Sequence, residues 1–322
     1  MDVLSDILRV VRLKGALFLN AQFHEPWCVV APHQANPAPV FAPPHDHTVV
    51  CHLVVGGRCW VQLPGSEALA LAAGDVLVLP RGDAHLIGSG LNHGPADARH
   101  AVSLKIPELA LTRYGGEGAQ TAIVCGWFSW ERQIATPLMA TLPRQFRSHI
   151  RQRHSGPWLE SSIRYAAGEA ASGRPGADAM AARLAELLFV EALRTHIESL
   201  PEQQPGWLAG LRDPQVGRSI ALLHERPAHQ WTVASLAQEV NMSRTVLAER
   251  FALLMDMPPM QYLTHWRLAL AAHALRSGRL SLTRIAEQIG YESDAAFSRA
   301  FSRAYGMPPG AWRRKVDEAP HG

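Results

Sequence analysis

The feature that most constrains this chain is an internal repeat in its last third. One copy runs Leu236-Ala237-Gln238-Glu239-Val240, then Asn241, Met242, Ser243, Leu247 and Phe251, ending Met257-Pro258-Pro259. The other runs Ile285-Ala286-Glu287-Gln288-Ile289, then Gly290, Tyr291, Ser293, Phe297 and Phe301, ending Met307-Pro308-Pro309. The spacing predicts a short helix, a tight turn and a second helix in each copy. Thr232 and Ser281 stand where the first helices need an N-cap, and Ser243 and Ser293 where the second helices do. Gly290 supplies a residue free to take positive φ where a helix must end. Leu236, Val240, Leu247 and Phe251 mark the buried face of one copy. Ile285, Ile289, Phe297 and Phe301 mark the other. The paired prolines cannot continue a helix but suit the first turn of the next. Met260 to Arg276 reads as a longer connecting helix.

A helix-turn-helix presents the exposed start of its second helix to the DNA major groove. Those positions are Arg244, Thr245, Ala248, Glu249 and Arg250 in the first copy, and Ser293, Asp294, Ala295, Ser298 and Arg299 in the second. Arg can bond guanine twice and Thr can touch a thymine methyl. Two such helices on one rigid connector could enter successive major-groove segments about 34 Å apart. Charge is compatible with this. Residues 213–322 hold thirteen Lys and Arg against ten Asp and Glu, while the first 212 residues hold eighteen of each. The net +3 therefore lies wholly in the repeated region.

The stretch from Ile285 to Ser293, followed by Phe297-Ser298-Arg299-Ala300-Phe301, Gly306-Met307-Pro308-Pro309 and Trp312-Arg313, resembles the DNA-binding signature of the AraC/XylS family of bacterial transcription regulators. The resemblance implies that Arg299 and the residues around Thr245 read bases. It also implies promoter DNA and RNA polymerase as partners, as for an activator, while the sequence leaves activation or repression open. Glu249 departs from it, standing where many members carry a basic residue; a carboxylate there can accept from cytosine but is repelled by phosphate.

The first part of the chain has a different period. From about residue 16 to 130, short runs rich in Val, Leu, Trp and Phe alternate with Gly and Pro, as in a sandwich or barrel. Thr48–Val55, Cys59–Leu63, Asp75–Leu79, Ala101–Lys105 and Thr121–Phe128 are the expected strands. Gly74-x5-Pro80-x-Gly82-x2-His85 resembles the second motif of the cupin barrel. The first cupin motif needs two His one residue apart and then a carboxylate. His45-Asp46-His47 fits its start, with Cys51 where Glu would be. Anchoring on Gly57 instead turns His52 inward and His45 and His47 to the other face, since a one-residue slip swaps faces. Regulators with this barrel usually carry a His like His52 before the glycine, which favours the second register. The resemblance leaves two readings. Either a divalent metal is held by His52 and His85 with His45, His47 or Cys51, or His52 and His85 are hydrogen-bonded in a metal-free ligand pocket.

Cys28, Cys51, Cys59 and Cys125 form no Cys-x-x-Cys pair, so a zinc knuckle is not expected. They are candidates for oxidant sensing, a role that requires exposure and a lowered pKa. From about 137 the period becomes helical, with helices expected over 158–171 and 177–200. In the second, Met180, Leu184, Leu187, Val190, Leu193, Ile197 and Leu200 trace a stripe suited to packing within the chain or on a second copy. The start of the chain (1–15) reads as an amphipathic helix rather than a signal peptide. No apolar run reaches membrane-spanning length, so the cytoplasm is the expected location.

The sequence thus predicts a multidomain α+β chain: a cupin-like sensor barrel over 1–135, a helical linker and dimerisation segment over 136–212, and an all-α domain with two helix-turn-helix units over 213–322. The expected function is a sequence-specific transcriptional regulator, a homodimer with no membrane contact, whose barrel senses a small molecule, metal or oxidant. The alternative is a metal-dependent cupin oxygenase or isomerase with a helical appendage. The incomplete first motif counts against it, because catalysis needs a full ligand set and an open position.

Overall fold

A computed structural model describes residues 3–10, 13–31, 46–89, 113–131, 142–152, 154–172, 174–200, 207–276, 278 and 280–317. The chain gathers into two compact units: Leu13–Ser199, and Met1–Arg12 together with Leu200–Gly322.

The first unit is a β structure carrying two helices. Its strands are β1 (Leu13–His24), β2 (Cys28–Ala31), β3 (Asp46–Gly56), β4 (Arg58–Gln62), β5 (Leu69–Ala72), β6 (Asp75–Leu79), β7 (His85–Gly88), β8 (Arg113–Gly115), β9 (Gln120–Glu131) and β10 (Phe146–His149). They form a six-stranded sheet in the order β10-β6-β3-β9-β1-β8 and a four-stranded sheet in the order β2-β7-β4-β5. One apolar core takes Val50, Val54, Leu77, Leu79, Ile123 and Cys125 from the larger sheet and Val29, Cys59, Val61, Leu71 and Ile87 from the smaller. The expected barrel is therefore corrected, among the described residues, to two open sheets sharing a core. The physical reason is that β1, β3 and β9 spend their whole paired length in one sheet, so none carries the pairing across.

Of the expected strands, four coincide with β3, β4, β6 and β9, and Ala101–Lys105 lies outside the described residues. β10 interrupts the stretch expected to be helical. Its Phe146 and Ser148 point inward and its Arg147 is exposed, the period of two that a half-buried edge strand requires.

Helices α2 (Gly156–Ser172) and α3 (Ala177–Ser199) follow and pack on the larger sheet. The buried face of α3 is Ala181, Ala185, Leu188, Phe189, Ala192 and Leu193. The stripe traced from the sequence runs along its rim: Leu193 is buried, Met180, Leu184 and Val190 are half-buried, and Leu187 is exposed. Alanine weighs little in such tracing, yet here it lets the helix lie close to the strands.

The second unit is helical: α1 (Val3–Val10), α4 (Trp207–Arg212), α5 (Pro214–Glu225), α6 (Val233–Glu239), α7 (Arg244–Met255), α8 (Pro259–Arg276), α9 (Leu282–Gln288), α10 (Asp294–Tyr305) and α11 (Pro309–Asp317). α1 packs on α5 and α8, burying Val3, Leu4 and Ile7. Phe251 and Leu247 fill the core of one repeat, and Phe297, Phe301 and Trp312 that of the other. Beside the first lies a stack: the His224 ring is 3.8 Å from Trp266 and nearly parallel to it. Its Nε2 is 2.9 Å from the Tyr262 hydroxyl.

Burial lowers the His224 pKa to about 3. The imidazole is therefore neutral, and its 3.8 Å approach to Asp6 is not an ion pair. Unfolding frees a histidine that takes up a proton near pH 6.5, so the unfolded chain binds more protons below that pH and stability falls as pH drops. His224→Gln should remove about 2 kcal/mol of the stability lost between pH 7 and pH 5. Urea unfolding of both proteins at the two pH values checks this; equal losses would place the dependence elsewhere.

Candidate nucleic-acid interface and sensor core

The two repeats fold with the same hydrogen bonds. After α6, the Met242 amide donates to the Ala237 carbonyl at 2.9 Å; after α9, Tyr291 donates to Ala286 at 2.9 Å. This bond across five residues closes a helix when the intervening residue is left-handed. Asn241 holds that position at φ 55° and Gly290 at φ 84°. Asparagine tolerates the left-handed region because its short polar side chain bonds locally. The next helix starts at once. Ser243 Oγ accepts from the Val246 amide and Ser293 Oγ from the Ala296 amide, each at 3.2 Å. Thr232 and Ser281 cap α6 and α9 in the same way, and Thr232 with Ser235 forms a reciprocal capping box.

α7 exposes Arg244, Thr245 and Glu249 at its start, with Ala248 half-buried behind them. α10 exposes Asp294, Ala295 and Arg299, with Ser298 half-buried. Three of the expected DNA-facing residues have local work as well. Arg250 Nε donates to Asp213 at 2.8 Å, and the same carboxylate caps α5, so Arg250 ties α7 to α5. Asp294 accepts from the Thr283 hydroxyl at 2.8 Å, bracing α9 against α10. Ser293 is the N-cap already described. Val246, not among the residues expected to face DNA, is half exposed at the N-terminal end of α7. Its place beside Arg244 and Thr245 at the start of the second helix was the signal available for it.

In the β unit, His52 faces the core with Val50 and Val54, as anchoring on Gly57 requires. The side chains of His45 and His47 lie outside the described residues. Gly74 sits at φ 96°, with the Arg151 side chain 2.7 Å from where a Cβ would be, and Asp75 accepts from the Ala72 amide at 2.8 Å. These turns deliver His85 to the core. His85 Nδ1 lies 2.9 Å from the Asp83 carbonyl, its Nε2 2.8 Å from His52 Nε2, and His52 Nδ1 3.1 Å from Cys125 Sγ.

The proton positions follow from one end. A carbonyl only accepts, so His85 donates from Nδ1 and its Nε2 accepts. His52 then donates from Nε2 and accepts at Nδ1, which leaves the Cys125 thiol as donor. The chain runs Cys125 to His52 to His85 to Asp83, all members neutral. Burial lowers both imidazole pKa values, consistent with that state. Burial also pushes the Cys59 and Cys125 thiols up to about 12 and Cys51 higher still, and Cys28 is buried too.

The set is a poor fit to a metal. Two nitrogens bound at about 2.0–2.1 Å in tetrahedral geometry lie farther apart than the observed pair. Cys125 approaches the opposite edge of the His52 ring and cannot join the same ion. Among the described residues no group of three His, Cys, Asp or Glu is placed to hold one.

Known proteins give a consistent picture. Residues 2–198 match the family described as Cupin, and residues 236–315 match the Helix-turn-helix domain. A putative AraC-like transcription regulator of Streptomyces lividans is 33% identical over 98% of this chain and 98% of its own length. The HTH-type transcriptional regulator AlkR of Acinetobacter baylyi is 26% identical over 98% of this chain and 100% of its own. The RCS-specific HTH-type transcriptional activator RclR of Escherichia coli is 28% identical over 98% of each. No helix among the described residues is long and apolar enough to cross a membrane. Two capped reading helices behind a cupin-type domain, matched along the whole length of these relatives, make this chain a member of the family of AraC-like DNA-binding transcription regulators, and not an enzyme.

Proposed function

We propose that α7 and α10 read one operator together, with Arg299 as the principal base-reading residue of the second unit and Arg244, Thr245 and Val246 as those of the first. The observation that carries this is the repeated geometry: the two helices start from matching serine caps after matching left-handed turns, and both present exposed side chains there. Val246 and Thr245 offer methyl groups to thymine, and Arg244 and Arg299 offer forked donors to guanine. Glu249 is exposed and its carboxylate can accept from cytosine N4, against repulsion from any nearby phosphate. Arg250 serves mainly as the tie to Asp213.

The β unit is the proposed effector domain. The histidine pair with Cys125 is a polar cluster among the buried, mostly apolar described residues of this unit. A small molecule that breaks the His52–His85 bond would have to replace it, which selects a ligand with both a donor and an acceptor. Oxidant sensing by the four free cysteines is a second reading. Against it, the four thiols are buried, and Cys51, Cys59 and Cys125 are held protonated, the unreactive form. The half-exposed apolar side chains of α2 and α3, Trp158 at 59%, Tyr165 at 53% and Leu187 at 46%, support pairing with a second copy. RNA polymerase is the proposed partner of the bound regulator.

Arg299→Ala should weaken binding to a duplex selected by the full-length chain by about 1–3 kcal/mol and relax preference at one base step. Binding to random duplex should fall far less. Fluorescence anisotropy across a salt series measures both, and a uniform loss on all sequences would make Arg299 a phosphate contact. Separately, Trp158→Glu should shift the sedimenting species from dimer to monomer at micromolar concentration; an unchanged profile removes α2 from the interface.

A further inference from the structure

We propose that Arg267 is a positioning residue: it clamps the loop before the first helix-turn-helix unit to the turn of the second, and so fixes the spacing and rotation of the two reading helices. This rests on the two-unit reading above.

The observations converge on one point. Arg267 lies on the connecting helix α8 and is half-buried. Its Nε donates to the Pro227 carbonyl at 2.7 Å and its Nη2 to the His229 carbonyl at 2.9 Å. Both acceptors belong to the loop between α5 and α6. The same loop touches the turn of the second unit. Gln230 Nε2 donates to the Gly290 carbonyl at 3.2 Å. A Cβ on Gly290 would lie 2.7 Å from Ala228 Cα and from its carbonyl oxygen, and 2.8 Å from Arg267 Nη2. Gly290 is thus needed twice, for its φ and for the absence of a side chain where three elements meet.

A connecting helix alone would not set the geometry. α8 has 18 residues, about 27 Å of rigid rod, which fixes how far apart its ends are. Both units pack on the sides of α8 through apolar residues such as Leu263, Trp266, Ala272 and Leu275, and apolar packing is non-directional, so it constrains rotation about the rod less sharply than directed hydrogen bonds do. The Arg267 fork supplies an attachment off that axis, binding loop, rod and second turn into a triangle. A lysine at this position brings the charge but not the planar fork aimed at two carbonyls. DNA makes the rotation matter: one inserted base pair turns a half-site by about 35° and moves it about 3.4 Å.

The test uses the full chain and a duplex it selects from a random library, together with versions carrying one inserted base pair between the two contacted segments, and a duplex keeping only one segment. The wild-type chain is expected to lose about tenfold in affinity on insertion, about 1.4 kcal/mol. Arg267→Ala and Arg267→Lys should keep single-segment affinity within about twofold while the insertion penalty falls to about threefold or less. The lysine variant separates the fork from simple phosphate attraction, which it would preserve. Gln230→Ala, at an exposed position, should reduce the penalty in the same direction and decides the matter if the Arg267 variants fail to fold. An unchanged penalty in the folded variants overturns the clamp. So does an equal loss on every duplex, which would mark a general structural role. A wild-type chain indifferent to the insertion overturns the two-unit reading and the clamp with it.

Discussion

Everything in the helical unit depends on leaving one helix and entering another within four or five residues. A helix end strands four carbonyls and the next start strands four amides. Here both ends are met locally: a left-handed residue folds the chain back onto the old helix, and a serine hydroxyl accepts from the amide of the third residue of the new one. Because the solution is local, it can be repeated, and the protein repeats it with asparagine in one copy and glycine in the other. The choice is not neutral. Asparagine suffices at 241, but at 290 the backbone of another loop lies where any Cβ would stand.

The β unit solves a different problem. Its core is apolar, and a polar pair inside it must be satisfied internally or cost several kcal/mol. The Asp83 carbonyl sets the direction of the whole hydrogen-bond chain, so His52, His85 and Cys125 have one consistent arrangement of protons rather than several. Any ligand entering between the two rings meets a donor on one side and an acceptor on the other. The polarity of the site is therefore decided by a backbone atom at its rim.

Much of this was legible in the sequence. The repeat gave the four capped helices, because caps, φ preferences and apolar spacing are properties of a few adjacent residues. The turn glycines of the β unit were legible for the same reason, and so was His52 once Gly57 anchored the register. What escaped depends on partners far along the chain. Arg250, expected to face DNA, is also held by Asp213, 37 positions away. Arg267 looked like an ordinary residue of a connecting helix because its acceptors lie forty positions earlier. Sheet closure escaped too, since strand pairing is set by where long strands end and not by their composition. The alanine face of α3 shows a subtler failure, in which the residues most tightly packed were those with the least side chain to count.

The placement of α1 has a practical consequence. Its Val3, Leu4 and Ile7 complete the apolar seat on α5 and α8, although the chain then runs through all of Leu13–Ser199 before returning. The helical unit is therefore assembled from segments on both sides of the β unit. A fragment cut at residue 200 would present a bare greasy groove, prone to self-association. Supplying the first dozen residues as a separate peptide, or splicing them on through a short linker, is the way to make that fragment well behaved.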